Sequence, residues 1–261
     1  MGTYDGKRVL VTGASSGIGA GLAERFAAEG AVVGLVARRE DRLKSVRDTC
    51  RFATPGAQMW VADLSVPEEV DRVAAAALEE LGGVDILVNN AGQPLRRHVT
   101  KLDMETVDRV MALNYSSPVR LTLALLPHML ERGSGTFVNV SSVAAPLSSP
   151  GEAAYDASKA ALTSFSECLA TDLWDEGIKV LVVYPAVIDT ELFTIPDNDP
   201  LPPGIDALPI SALVDGVFDA LLTDAVEVYV PPYFKDLVIG RVQDIRGFMA
   251  GTAEYIRTNK P

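Results

Sequence analysis

Seven short runs rich in β-branched and other apolar residues punctuate the chain: Arg8–Val11, Val32–Val36, Met59–Val61, Ile86–Val88, Thr136–Val140, Lys179–Val183 and Glu227–Val230. Between them apolar positions recur at helical spacing, over Gly17–Ala28, Pro67–Leu81, Met104–Leu130 and Ala153–Trp174 among others. Strands alternating with helices of this length demand right-handed crossovers, which predicts an α/β fold: a doubly wound, mainly parallel seven-stranded sheet with helices on both faces. The helices Met104–Leu130 and Ala153–Trp174 are apolar around much of their circumference, as suits burial on the sheet and against a twofold mate, so a homodimer or homotetramer is expected. One break in the pattern spans residues 188–210. Pro196, Pro200, Pro202, Pro203 and Pro209 deny it a long regular element, and it reads as a substrate-side lid. Residues 233–257 form a C-terminal helical extension with Phe234, Leu237, Val238, Val242, Ile245, Phe248 and Met249 on one stripe, opposite Arg241, Asp244 and Arg246. That stripe needs a cover, from the domain or a sister subunit, with peripheral contact to a membrane as the less favoured reading.

Composition changes this picture little. A chain of 261 residues with 48% hydrophobic content suits one unit, residues 1–261, whose sheet is covered on both faces. A formal charge of −12 argues against a nucleic-acid partner. There is no basic segment followed by an apolar stretch at the N-terminus and no apolar run of spanning length, so the cytoplasm is the default location. Cys50, Cys168, His98 and His128 lack partners at metal-ligand spacing, and no metal is expected.

The chemistry lies in three places. Gly13-Ala-Ser15-Ser16-Gly17-Ile18-Gly19 follows the first strand and opens a helix, so backbone N–H groups and the helix N-terminus can receive a pyrophosphate where a Cβ would block approach. The alternative for this segment alone is a plain strand-to-helix turn. Tyr155 and Lys159 stand at i and i+4, with Cβ atoms about 5–6 Å apart on one helix face, so the ammonium is placed to favour ionisation of the phenol. Bringing a phenol from about 10 to near neutrality takes about 4 kcal/mol, more than one lysine commonly supplies, and a second cation such as an oxidised nicotinamide ring would help. Ser141 and Ser142 end the fifth strand, where one-residue alternation points them to opposite sides.

Thr12-Gly13-x-x-x-Gly17-x-Gly19, Asn89-Asn90-Ala91-Gly92, Asn114, Ser142 and Tyr155-x-x-x-Lys159, in this order and spacing, resemble the short-chain dehydrogenase/reductase family from about Lys7 to about Thr190. The resemblance implies a Rossmann-type fold and a catalytic set of Asn114, Ser142, Tyr155 and Lys159. Ser142 is preferred to Ser141 because family members place the serine near thirteen residues before the tyrosine. Asn114 would hold a water that bonds Lys159 and completes a proton path. The second strand ends in Ala37-Arg38-Arg39, without the carboxylate of NAD-dependent relatives, which implies NADP(H) with Arg38 as the 2′-phosphate clamp and Ser15 in support; the alternative is that Arg38 and Arg39 solvate a helix start. Asp63 and Leu64 would border the adenine, unless Asp63 serves as a helix cap. Asn90, Ala91 and Gly92 would border the ribose and Asn89 would tie the central strands together, with structural and functional readings of the motif both open. By the same resemblance, Pro185, Ala186, Ile188 and Thr190 would lie beside the nicotinamide, Ala186 replacing a family glycine.

Leu95, Val143, Leu147, Leu192 and Phe193, with Ile195, sketch an apolar pocket for the substrate. The expected function is therefore an NADP(H)-dependent oxidoreductase that interconverts a carbonyl and an alcohol on a hydrophobic small molecule. Two alternatives share the fold: an NADP-binding scaffold or sensor without turnover, and a non-redox epimerase or dehydratase.

Overall fold

The computed structural model describes residues 2–191, 198–199 and 206–259. Its seven strands are β1 (Arg8–Thr12), β2 (Val32–Ala37), β3 (Gln58–Val61), β4 (Ile86–Asn89), β5 (Gly135–Val140), β6 (Ile178–Pro185) and β7 (Glu227–Val230). They pair in the order β3-β2-β1-β4-β5-β6-β7, and every pairing is parallel. This is a Rossmann-type sheet, with strand order reversing between β1 and β4.

Along β1 successive side chains enter opposite cores, which is why the strand reads as an unbroken apolar run. Val9 and Val11 pack with Phe26 of α1 (Gly17–Ala28), Leu43 of α2 (Glu40–Ala53) and Phe218 of α8 (Ile210–Leu221). Leu10 faces the other layer, with Val73 of α3 (Pro67–Glu80), Leu121 and Leu125 of α5 (Ser117–Glu131), and Leu169 of α7 (Ala153–Asp172).

Two predicted helices are interrupted. Met104–Leu130 divides into α4 (Met104–Met111), a π-helical turn at Ala112–Ser116 and α5. The C-terminal extension divides into α9 (Phe234–Gln243) and α10 (Ile245–Thr258), because Asp244 leaves helical geometry at φ −143° and its carboxylate accepts from Gly247 N–H at 2.8 Å, starting a new helix. The break splits the predicted stripe. Phe234 and Val238 pack on Val182, Tyr184 and Tyr229, whereas Leu237, Val242, Ile245 and Met249 are exposed. No helix among the described residues is long and apolar enough to cross a membrane. Leu192, Phe193 and Ile195, assigned to the substrate side from sequence, lie outside the described residues, as does much of the expected lid.

Candidate active site

The carboxyl ends of β1 to β6 open onto one cleft of about 1200 Å³. Its floor starts at the turn after β1, where Gly13 has φ +66° and a Cβ on it would lie 2.8 Å from Asn90 Nδ2. Gly19 does not line the cleft; a Cβ there would meet the Gly13 carbonyl oxygen at 2.4 Å, so its absence lets α1 approach the strand end. Thr12 ties this turn to the loop after β4: its Oγ1 accepts from Asn90 N–H and Ala91 N–H, each at 3.0 Å, while the Asn90 amide donates to the Thr12 carbonyl at 3.0 Å. Asn89 points into the fold, donating to Asn139 Oδ1 at 2.9 Å and Thr122 Oγ1 at 3.2 Å.

At one end of the cleft, beyond β2, the two adjacent arginines diverge. Arg38 reaches Asp63, at 3.6 Å. Arg39 instead crosses the glycine turn, donating to Ser15 Oγ at 3.1 Å and pairing with Glu191 at 2.9 Å, and Arg42 joins it on Glu191. Asp63 caps no helix end itself; Ser65 N–H and Oγ–H donate to its Oδ1 at 3.0 and 2.7 Å. Burial opposes its ionisation, but these bonds and Arg38 outweigh that and hold the carboxyl below its ordinary pKa. Ser15, Ser16, Gly17, Ile18, Leu64, Pro185, Ala186, Ile188 and Thr190 line the same cleft.

Beyond β5 and α7 stands the reactive group. Ser141 faces α7, its hydroxyl donating to the Lys159 carbonyl at 3.1 Å and lying 2.9 Å from Thr163 Oγ1. Ser142 turns the other way: its Oγ accepts from Ala144 N–H at 3.1 Å and is hydrogen-bonded to the Tyr155 phenol. Lys159 Nζ lies 5.9 Å from the centre of the Tyr155 ring and donates to the Val140 carbonyl at 2.7 Å. Asn114, fully buried in the π turn, accepts from Gln93 N–H at 2.9 Å and donates to the Gln93 carbonyl and Ser158 Oγ. Its amide thus grips the loop after β4 and the α7 helix together.

The electrostatics correct one expectation. Sequence spacing favoured a phenol made acidic by its lysine, yet burial raises the Tyr155 pKa above the ordinary value, the Glu152 carboxylate adds to the rise, and the Ser142 bond only partly opposes it. A unit charge at about 6 Å contributes about 3 kcal/mol at an effective dielectric of about 20, against about 4–7 kcal/mol for full burial of a titratable group, so burial wins. The same burial pulls the Lys159 ammonium down to about 8.

Of the residues assigned to the substrate pocket, Leu95 and Val143 line the cleft. Leu147 does not: it ends the short α6 (Ala144–Leu147) and is buried away from it. In its place stand residues the sequence reading missed, among them Gln93, Arg96 and Glu152 and, from α10, Tyr255 and Ile256. Glu152 could have been found from its position three before Tyr155, immediately ahead of the helix. The α10 residues carry no sequence signal, since only the chain path brings them there.

The family profile described as short chain dehydrogenase matches residues 7–199. The chain belongs to that family. Its Rossmann-type sheet is the fold of that family. Among the relatives it resembles is a fatty acyl-CoA reductase of Acinetobacter baylyi, 38% identical over 189 residues; the match takes in 72% of this chain but 64% of that longer protein, so the chain spans less than two thirds of it. Among solved structures, a short-chain dehydrogenase of Sphingobium yanoikuyae in complex with NADPH superposes with a TM-score of 0.81 at 31% identity, over 92% of this chain and 95% of that one. A short-chain dehydrogenase/reductase of Burkholderia phymatum in complex with NAD gives 0.85 at 27% identity, over 94% and 96%.

Proposed function

We propose that this protein is an NADP(H)-dependent reductase that converts a carbonyl to an alcohol on a small molecule with an apolar body. The observation that carries this reading is the Tyr155 phenol, held protonated by burial beside the Ser142 hydroxyl and Lys159, in the same cleft as the glycine turn. Residues of the cleft fit a dinucleotide: Gly13 and the Asn90–Gly92 backbone leave room for the ribose and phosphates, and Arg38 and Arg39 meet a 2′-phosphate with no carboxylate at Ala37 to repel it. Bound there, the nicotinamide supplies hydride.

The chain's own residues then do three things. Ser142 donates a hydrogen bond to the carbonyl oxygen and fixes its place. Tyr155, a neutral acid above its ordinary pKa, delivers the proton to that oxygen as negative charge develops on it. Lys159, held by the Val140 carbonyl, stabilises the tyrosinate left behind, and Asn114 keeps the loop after β4 and α7 in register for the transfer. Leu95, Val143 and Ile256 provide apolar wall for the substrate body, and the name of the Acinetobacter relative agrees with an apolar chain.

Tyr155→Phe tests the reading. It removes the acid and little volume, so NADPH consumption with ketones and aldehydes falls by about 10²–10⁴-fold while the NADPH dissociation constant, from fluorescence titration, stays within about threefold. Retention of more than a tenth of the turnover would overturn the assignment.

A further inference from the structure

Glu152 stands beside the reactive tyrosine, and beyond its charge acting on the phenol it has no role in the chemistry above. It immediately precedes α7, three residues before Tyr155, and both side chains line the cleft. Its side chain is 16% exposed. The nearest cation, Arg96 Nη1, lies 3.9 Å from Oε1, within ion-pair reach but beyond a hydrogen bond. Arg96 is fixed by other bonds, its Nε–H donating to the Asp199 carbonyl at 2.7 Å and its backbone N–H to Asn198 Oδ1 at 2.6 Å. Among the described residues no N–H or O–H donates to the Glu152 carboxylate within hydrogen-bond distance, although a carboxylate offers about four acceptor positions. Burial, opposed by Arg96, lifts its pKa to about 7, as expected of a poorly solvated acid.

A carboxylate in this condition has acceptor positions open to a donor arriving from the cleft, where a substrate group would take the place of solvent. Its surroundings are polar, with Ser149, Asn198 and Arg96 on the same wall. Because Arg96 already balances the charge, a neutral donor fits better than a cation. Glu152 is close enough to Tyr155 for its charge to act on the phenol, so a donor on its carboxylate sits near the carbonyl that Tyr155 meets.

We infer that Glu152 is a specificity-determining residue whose carboxylate receives the hydrogen bond of a substrate hydroxyl close to the reacting carbonyl, so that the preferred substrates are hydroxy ketones with an apolar tail. This rests on the reductase reading and narrows it. Hydride adds to the carbonyl carbon and the Tyr155 proton to its oxygen, NADPH becomes NADP⁺, and the product is a diol. The bound hydroxyl keeps its proton, and Glu152 neither gains nor loses one.

The test compares kcat/KM for 1-hydroxy-2-octanone and 2-octanone with NADPH, in wild type, Glu152→Gln and Glu152→Leu. Wild type favours the hydroxy ketone by about tenfold or more, Gln retains part of that preference through its amide oxygen, and Leu abolishes it. A residue that only tunes Tyr155 or supports the fold would change both ketones alike and leave the ratio standing. A second arm needs no turnover: calorimetric titration of 1,2-octanediol and 2-octanol into the NADP⁺-bound protein, with the diol about tenfold tighter in wild type and not in Glu152→Leu. Equal treatment of the paired compounds in wild type overturns the inference. If neither ketone consumes NADPH, the reductase reading fails, and the diol arm still decides whether Glu152 receives a hydroxyl.

Discussion

Arg39 bridges the Ser15 hydroxyl and the Glu191 carboxylate across the glycine turn, so under the proposed NADP(H) reading a 2′-phosphate entering beside it would replace one anionic partner with another of greater charge. The guanidinium is about half exposed, which limits what it contributes: a charged hydrogen bond of this kind is worth at most about 1.5–3 kcal/mol, and exposed ion pairs less. Arg39→Gln accordingly lowers the NADPH-to-NADH ratio of kcat/KM about tenfold, measured with one carbonyl substrate; a ratio within twofold of wild type would transfer the role to Arg38. The resemblance named Arg38 as the clamp, whereas the divergence of the two neighbours at the strand end depends on where Asp63 and Ser15 have been brought by other strands and is not legible in the sequence. The same limit applied to Tyr155. Its place beside Lys159 follows from helical spacing, but the sign of its pKa shift follows from how completely other elements close over it, and that is a tertiary quantity.

Among the elements, strands were the most legible, since parallel strands buried on both faces are marked by the ends of their apolar runs. β6 runs two residues past the expected end at Val183, through Tyr184 to Pro185, because Pro185 is held against Val230 of the last strand. The π turn was illegible, as one extra residue per turn barely shifts an apolar period, yet it carries the buried Asn114 to the loop after β4. Gly92 measures how tightly those two elements meet. A Cβ there would lie 3.2 Å from Asn114 Oδ1 and 3.3 Å from Lys159 Nζ, so both groups must move by a few tenths of an ångström. Gly92→Ala should cost about 1–2 kcal/mol of stability in urea unfolding, an overpacking effect, and lower kcat by about tenfold or more with NADPH affinity largely kept. Unchanged kcat in a folded variant would show that neither Asn114 nor Lys159 needs its present position.

At the scale of the whole molecule, the two edges of the sheet have separate work. The carboxyl edge forms the cleft, and at the amino edge Asp85, just before β4, gathers Arg8 from β1 and Arg132 from the end of α5. Asp85 also accepts from the Arg8 backbone N–H at 2.8 Å, so one buried carboxylate joins two strands and a helix across the place where strand order reverses. Burial works against this charge, but the hydrogen bonds from Arg8 and Arg132 prevail and hold its pKa well below the ordinary carboxylate value. A folded pKa below the unfolded one means the stabilisation is complete above about pH 4 and is lost as acid approaches the folded value. Asp85→Asn keeps the shape and removes the charge, leaving two arginines facing a neutral amide. It should cost about 2–4 kcal/mol at pH 7, and the gap to wild type should narrow by about 1 kcal/mol at pH 3, both read from urea midpoints. Because Asp85 does not line the cleft, kcat of the folded variant should match wild type under native conditions. A stability gap independent of pH would mean that the carboxylate acts through shape and its backbone hydrogen bond, with the two guanidinium groups contributing nothing.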